Sequence, residues 1–283
     1  MMGLKLKITV DQDAGFCFGV TRAISKAEEL LAAGHQLYCL GQIVHNHAEV
    51  ERLEKLGMQS FSHENIDSIK NKTVLIRSHG EPPETYQILQ KNGNQIVEAT
   101  CPIVAKLQEK VERSDSEGSF VMIFGKAEHP EVVGLTGRIS GNYIVVKDLA
   151  DVDYLSLPKS LTLYSQTTMD LDSLNQLRSK LEEEGIEVDF RDTVCRKVSN
   201  KKKHLESFAI ENDVIIMVAG ERSSNGKVLY EICKSKNSRS YKISQVDQVS
   251  PEWFKANDRV GITGATSTPT WQIQDVLEAV SKL

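Results

Sequence analysis

Three cysteines, Cys17, Cys101 and Cys195, stand 84 and 94 residues apart and share one local plan. Each follows a short β-like run (Leu6–Val10, Gln95–Glu98, Ile186–Phe190) and opens a helix-like segment. A polar loop residue comes 28 residues after each cysteine: His45, His129 and Ser223. A third loop follows a further apolar strand in each case. These loops are Arg77-Ser78-His79-Gly80, Ser165-Gln166-Thr167-Thr168 and Thr266-Ser267-Thr268. Self-similarity at a fixed period constrains a fold more than any single segment does. One α/β unit is therefore used three times, and each copy brings a thiol and two polar loops.

The apolar runs support this plan. Helical periodicity covers residues 18–33, 172–184 and 196–211. Short apolar strands are expected at 37–40, 73–76, 120–124, 161–164, 214–218 and 260–263. Strands alternating with helices imply parallel sheets. The expected fold class is α/β, with three similar units and mainly parallel sheets in a pseudo-threefold trefoil around a central cluster. The units span residues 11–100, 101–194 and 195–283. No strand follows the last helix, so the N-terminal strand (residues 1–10) is expected to complete the third sheet and bring the chain ends together. Ligand loops in such sheets lie at the carboxyl ends of strands. Loops opening helices offer N–H groups to an anion.

Composition narrows the function classes. The 283-residue chain carries a net charge of −5, which disfavours nucleic acid as a partner. No apolar run reaches the roughly 20 residues that span a bilayer. The start lacks a signal-peptide core, so a cytoplasmic enzyme is expected, with no membrane partner. Five cysteines without a CxxC pair argue against a disulfide framework or a zinc ribbon. Cys39 sits in the apolar strand Gln36–Leu40 and Cys233 in the helix-like stretch Lys227–Lys234, and both read as structural thiols. Lys201-Lys202-Lys203-His204 is the one basic cluster. It reads as a solvated helix face or as a docking patch for an acidic electron donor.

Three converging thiolates suit a soft centre. A four-iron cubane held by three cysteines would leave one iron open to substrate. His45, His79 and His129, with Gln166, Thr167, Thr168, Ser223, Ser224, Asn225 and Ser267, donate hydrogen bonds without much fixed charge, which suits a phosphate or diphosphate. Glu131 is the one carboxylate in these loops. It reads either as a proton relay with a raised pKa or as an acid stabilised by a helix N-terminus. Gly220 to Lys227 lacks P-loop spacing, and no GxGxxG follows a strand.

Several stretches carry a resemblance. They include Ala14-Gly15-Phe16-Cys17-Phe18-Gly19-Val20, Ile43-Val44-His45-Asn46, Arg77-Ser78-His79-Gly80, Thr100-Cys101-Pro102 and His129-Pro130-Glu131-Val132. Ser165-Gln166-Thr167-Thr168, Asp192-Thr193-Val194-Cys195, Ser223-Ser224-Asn225 and Gly264-Ala265-Thr266-Ser267-Thr268-Pro269 continue the series. The chain resembles the 4-hydroxy-3-methylbut-2-enyl diphosphate reductase family of the non-mevalonate isoprenoid pathway. The resemblance implies one oxygen-sensitive 4Fe-4S cluster per chain, with metal ligands Cys17, Cys101 and Cys195. It implies diphosphate binding by His45, His79, His129, Ser223, Ser224, Asn225 and Ser267, with Gln166, Thr167 and Thr168 also facing substrate. Glu131, Thr167 and His129 would be catalytic, with Glu131 and Thr167 managing protons. Two electrons, from reduced ferredoxin or flavodoxin, and protons would remove the substrate hydroxyl as water at the unique iron. The products would be isopentenyl and dimethylallyl diphosphates. The family's usual Asn-Arg-Gln run reads Asn200-Lys201-Lys202 here, and its Ala-Gly-Ala-Ser reads Gly-Ala-Thr-Ser. A three-cysteine dehydratase resembling quinolinate synthase and an iron–sulfur sensor are the competing classes.

Overall fold

The computed structural model describes residues 4–221 and 223–283, without the side chain of Ser224. In chain order, β1 is Lys7–Val10, α1 Phe18–Ala32, β2 Leu37–Leu40, α2 His47–Lys55, β3 Gln59–Phe61, β4 Thr73–Ile76, α3 Pro83–Lys91 and β5 Gln95–Glu98. Next come α4 Pro102–Ser116, β6 Val121–Phe124, α5 Pro130–Thr136, β7 Tyr143–Val146, β8 Ser160–Ser165, α6 Leu171–Glu183 and β9 Glu187–Phe190. The last elements are α7 Arg196–Glu211, β10 Val214–Val218, α8 Ser224–Lys236, β11 Ser240–Ile243, β12 Arg259–Gly264 and α9 Thr270–Ser281.

Among the described residues the strands form three four-stranded sheets, ordered β3-β2-β4-β5, β7-β6-β8-β9 and β11-β10-β12-β1. Every pairing is parallel. The order is the same three times, and in the third sheet β1 occupies the place that β5 and β9 hold in the others. Leu4 N–H donates to the Leu283 carbonyl at 3.2 Å, so the segment leading into β1 meets the C-terminal residue beside that sheet.

The polar loops and the cysteines have distinct places in this order. His45, His129 and Ser223 follow the central strands β2, β6 and β10. His79, Thr167 and Ser267 follow the other central strands, β4, β8 and β12. The cysteines follow the edge strands β1, β5 and β9. Central strands are covered on both faces, so they read as continuous apolar runs. Thus β6 (Val-Met-Ile-Phe) and β10 (Val-Ile-Ile-Met-Val) are buried throughout. The edge strands β1 and β9 alternate in exposure.

The chain packs as two compact bodies. The first contains Met1–Ile24, Gln42–Leu56 and Asn200–Leu283. Its sheet buries Val214, Ile216, Val218, Val260 and Ile262 against Ile273, Val276 and Val280 of α9. The opposite face sets Ile215 and Met217 against Leu205 and Phe208 of α7 and Leu229 of α8. Helix α2, though it follows β2 in the chain, belongs to this body. The buried Asn46 donates through Nδ2 to Gln272 Oε1 at 2.8 Å, and Trp271 Nε1 donates to Glu49 Oε2 at 2.7 Å.

The second body contains Ser25–Gly41 and Gly57–Ser199, and so the other two sheets. One sheet face packs Met122, Phe124, Leu161 and Leu163 on Leu174, Leu177 and Leu181 of α6. The other packs Val121, Ile123 and Tyr164 on α4 and α5. Arg138 Nη1 donates to the Gly134 carbonyl at 2.6 Å and to the Glu81 carbonyl at 2.8 Å, tying α5 to the loop after β4. None of the helices among the described residues is long and apolar enough to cross a membrane.

Candidate functional site

The three cysteines have matching backbone settings. Each carbonyl accepts the N–H four residues on: Cys17 from Thr21, Cys101 from Ala105 and Cys195 from Ser199, at 2.9, 2.9 and 3.0 Å. Each thiol therefore stands at the first turn of a helix, where the helix dipole favours negative charge. Each cysteine N–H in turn donates to the loop after the neighbouring central strand. Cys17 donates to Thr266 at 3.3 Å, Cys101 to Ser78 at 3.0 Å and Cys195 to Thr167 at 2.8 Å. The three polar loops that share a position in the sequence pattern thus fix the backbones of the three cysteines.

The five thiols divide by exposure. Cys17, Cys101 and Cys195 are half-buried, whereas Cys39 and Cys233 are fully buried. Desolvation pushes both Cys39 and Cys233 up to about 12, so they stay protonated and packed. Cys17, Cys101 and Cys195 each stand reachable at a helix N-terminus, a setting that favours the thiolate, whereas Cys39 and Cys233 are sealed in the core.

The first body carries its polar loops close together. Ser223 and Ser267 share a hydrogen bond at 3.1 Å, and Asn225 Nδ2 donates to Thr266 Oγ1 at 2.8 Å. Ser223 Oγ also accepts from Gly226 N–H at 3.0 Å and so caps α8. A Cβ on Gly220 would lie 2.9 Å from the His45 carbonyl oxygen, so glycine is what lets these two loops approach. Asn46 caps α2 through Glu49 N–H at 3.2 Å while holding Gln272. His45, Ser223 and Ser267, on loops, and Asn225, in the first turn of α8, therefore belong to segments of one body that are braced on one another. The side chain of Ser224 lies outside the described residues.

The second body carries the groups able to handle a proton. Glu131 is 2 % exposed. Its carboxylate accepts from Thr167 N–H at 2.6 Å and from the Thr167 hydroxyl at 2.8 Å. Burial raises its pKa above the ordinary carboxylate range, and the two Thr167 bonds pull it partly back. The helix-acid reading is also met in position, because Glu131 lies in the first turn of α5. Its side chain is nevertheless committed to Thr167. His129 caps the same helix, with Nδ1 accepting from Glu131 N–H at 3.2 Å. Neutral His129 therefore carries its proton on Nε2, as a donor. The His79 and His129 rings meet edge to face with centroids 5.3 Å apart. Gln166 Nε2 donates to Thr168 Oγ1 at 2.8 Å, and Gln166 Oε1 accepts from Lys126 N–H at 3.2 Å.

Behind His79 stands a group that the sequence pattern did not single out. Glu81 is buried, pairs with His63 Nε2 at 2.8 Å and lies 3.7 Å from Arg77 Nε. Burial raises its pKa, opposed by Arg77 and His63. A carboxylate just beyond a His-Gly turn was the available signal. Arg138 had none, because it pairs with carbonyls rather than with a recognisable partner residue.

The basic cluster needs correction. Lys201 is buried, so 201–204 is neither a uniformly solvated face nor a uniform docking patch. Lys201 falls four and seven residues before Leu205 and Phe208 and shares their inward stripe. Lys203 is exposed.

A family model described as LytB protein matches residues 8–281. The chain belongs to the LytB family. LytB-family relatives cover nearly all of it. The 4-hydroxy-3-methylbut-2-enyl diphosphate reductase of Bacteroides fragilis is 42 % identical over 282 residues, 97 % of each chain. That of Chloroherpeton thalassium is 41 % identical, covering 97 % of this chain and 96 % of its own. A solved (E)-4-hydroxy-3-methyl-but-2-enyl diphosphate reductase, described as the terminal enzyme of the non-mevalonate pathway, matches with TM-score 0.79 and 36 % identity. It covers 98 % of this chain and 99 % of its own. The Plasmodium falciparum reductase gives TM-score 0.84 at 26 % identity, covering 96 % of this chain and 86 % of its own. The α/β fold with three parallel sheets agrees with the LytB assignment.

Proposed function

We propose that this chain reduces 4-hydroxy-3-methylbut-2-enyl diphosphate to isopentenyl and dimethylallyl diphosphates. Two electrons and two protons are consumed, and the hydroxyl leaves as water. The observation that carries the reading is the bond from Cys195 N–H to the Thr167 carbonyl. It joins a candidate cluster ligand to the residue that holds the buried acid Glu131.

Cys17, Cys101 and Cys195, one from each α/β unit (residues 11–100, 101–194, and 195–283 with strand 1–10), would hold one 4Fe-4S cluster. When bound, such a cluster supplies one-electron transfer and a Lewis-acidic iron. The chain's own residues bind, orient and protonate. His45, Ser223, Ser224, Asn225 and Ser267 take the diphosphate, together with His79 and the Nε2–H of His129. Donors at helix starts favour this anion without a fixed counter-charge. Gln166 and Thr168 brace the loop that carries Thr167. Glu131 holds a proton because burial favours its neutral form, and Thr167 Oγ1 is the atom through which it passes toward the hydroxyl. Ferredoxin or flavodoxin would donate the electrons in the cytoplasm.

The test is anaerobic turnover of the diphosphate by cluster-loaded protein with a reduced viologen. Electron consumption matched by the two five-carbon products supports the reading. An intact cluster with no turnover would refute it in favour of a dehydratase or a sensor.

A further inference from the structure

Lys201 is 3 % exposed, on the apolar stripe of α7. Its ammonium donates to the Asp13 carbonyl and, at 2.7 Å, to the Gly264 carbonyl. Burying an ammonium costs free energy unless hydrogen bonds and charge offset it. The two carbonyls it chooses are informative. Asp13 lies four residues before Cys17, in the loop after β1. Gly264 ends β12 and leads to Thr266, whose carbonyl accepts the Cys17 N–H. One cation thus grips both segments that present Cys17.

The surrounding network serves the same loop. Asp11 is buried and accepts from Thr263 Oγ1 at 2.6 Å and from Asp13 N–H at 3.0 Å. His204 Nε2 lies 2.9 Å from Asp11 Oδ1. Desolvation lowers the Lys201 pKa, and Asp11, Asp13 and Cys17 act in the opposite sense. This internal cation makes a metal ion at Asp11, Asp13 and His204 electrostatically unfavourable.

We infer that Lys201 is a positioning residue for Cys17: its ammonium clamps the Asp13 and Gly264 carbonyls, sets where the thiol stands and would add positive charge near a cluster held by that thiolate. The inference rests on the cluster reading for its second half only. The loop clamp is a property of the protein without a cluster.

The experiment compares Lys201→Met and Lys201→Arg with Lys203→Met as the exposed control. In cluster-free protein, hydrogen exchange at residues 12–17 and 265–268 should rise roughly 10- to 150-fold in Lys201→Met, the range for losing charge-assisted bonds. Lys201→Arg should recover part of this, and Lys203→Met should match wild type. In reconstituted protein, Lys201→Met should lower the cluster's reduction potential, and Lys201→Arg should restore it. Unchanged exchange and unchanged potential in Lys201→Met would overturn the inference. A Lys201→Met protein that fails to fold is replaced by Lys201→Gln, judged by the same two readouts. If wild type assembles no cluster, the cluster reading falls, and the exchange data still decide the clamp.

Discussion

Replacing Thr167 with Val isolates the hold on Glu131. The shapes match, so packing is nearly kept while the hydroxyl bond to Glu131 Oε2 at 2.8 Å is lost. The backbone bond at 2.6 Å remains. A hydrogen bond to a charged group contributes about 1.5–3 kcal/mol, and one to a neutral group about 0.5–1.5 kcal/mol. The substitution therefore disfavours the carboxylate over the acid by about 1–1.5 kcal/mol, and Glu131 keeps its proton roughly five- to thirteenfold more tightly. The sign follows from linkage. Burial already raises the Glu131 pKa, so its contribution to stability is full below the ordinary carboxylate range. That contribution is lost as pH rises through the folded value. The variant should resemble wild type more closely in acid and fall further behind once Glu131 ionises. The alkaline limb of viologen-driven turnover should move to higher pH. Urea unfolding of cluster-free protein across pH, with infrared detection of the Glu131 acid band, checks both. Superimposable wild-type and Thr167→Val curves would refute the account of Glu131.

Four further outcomes are expected. Glu131→Gln should cut turnover by about 10²–10⁴-fold while iron content stays at the wild-type level, since it removes the ionisable proton and one acceptor toward Thr167 but leaves the three cysteines untouched. Cys17→Ala, Cys101→Ala or Cys195→Ala should each abolish the intact cluster by iron and sulfide analysis, whereas Cys39→Ala should spare it because that thiol is sealed in the core. Asn46→Ala removes the α2 cap and the donor to Gln272 Oε1; it should cost about 2–3 kcal/mol in urea unfolding and raise the substrate KM through His45. Gly41→Ala places a Cβ 2.6 Å from Arg77 Nη1 at φ +69, and should lower stability by at least about 1–2 kcal/mol.

The threefold plan was legible because its signals are local. An apolar run of four or five residues, a cysteine or histidine just beyond it and a helical stripe are read without knowing neighbours. A continuous apolar run marks β10 and a helical stripe marks α7, with the bounds that the structure shows, Val214–Val218 and Arg196–Glu211. The apolar run around Cys39 marks it as structural, and its complete burial agrees.

What the sequence determined, then, was at which strand ends the cysteines, histidines and polar loops stand. The tertiary structure decided what those residues do to one another. The Glu131–Thr167 pair joins residues 36 apart, the Asn46–Gln272 bond residues 226 apart, and the Lys201–Asp13 bond residues 188 apart. No periodicity encodes such pairs, because a hydrogen bond depends on where two side chains end in space rather than on their spacing. Lys201 shows the consequence. A run of basic residues looks solvent-facing by composition, yet helical geometry turns one of them inward. There the desolvation cost is offset by two carbonyls brought from opposite ends of the chain and by the nearby Asp11 and Asp13.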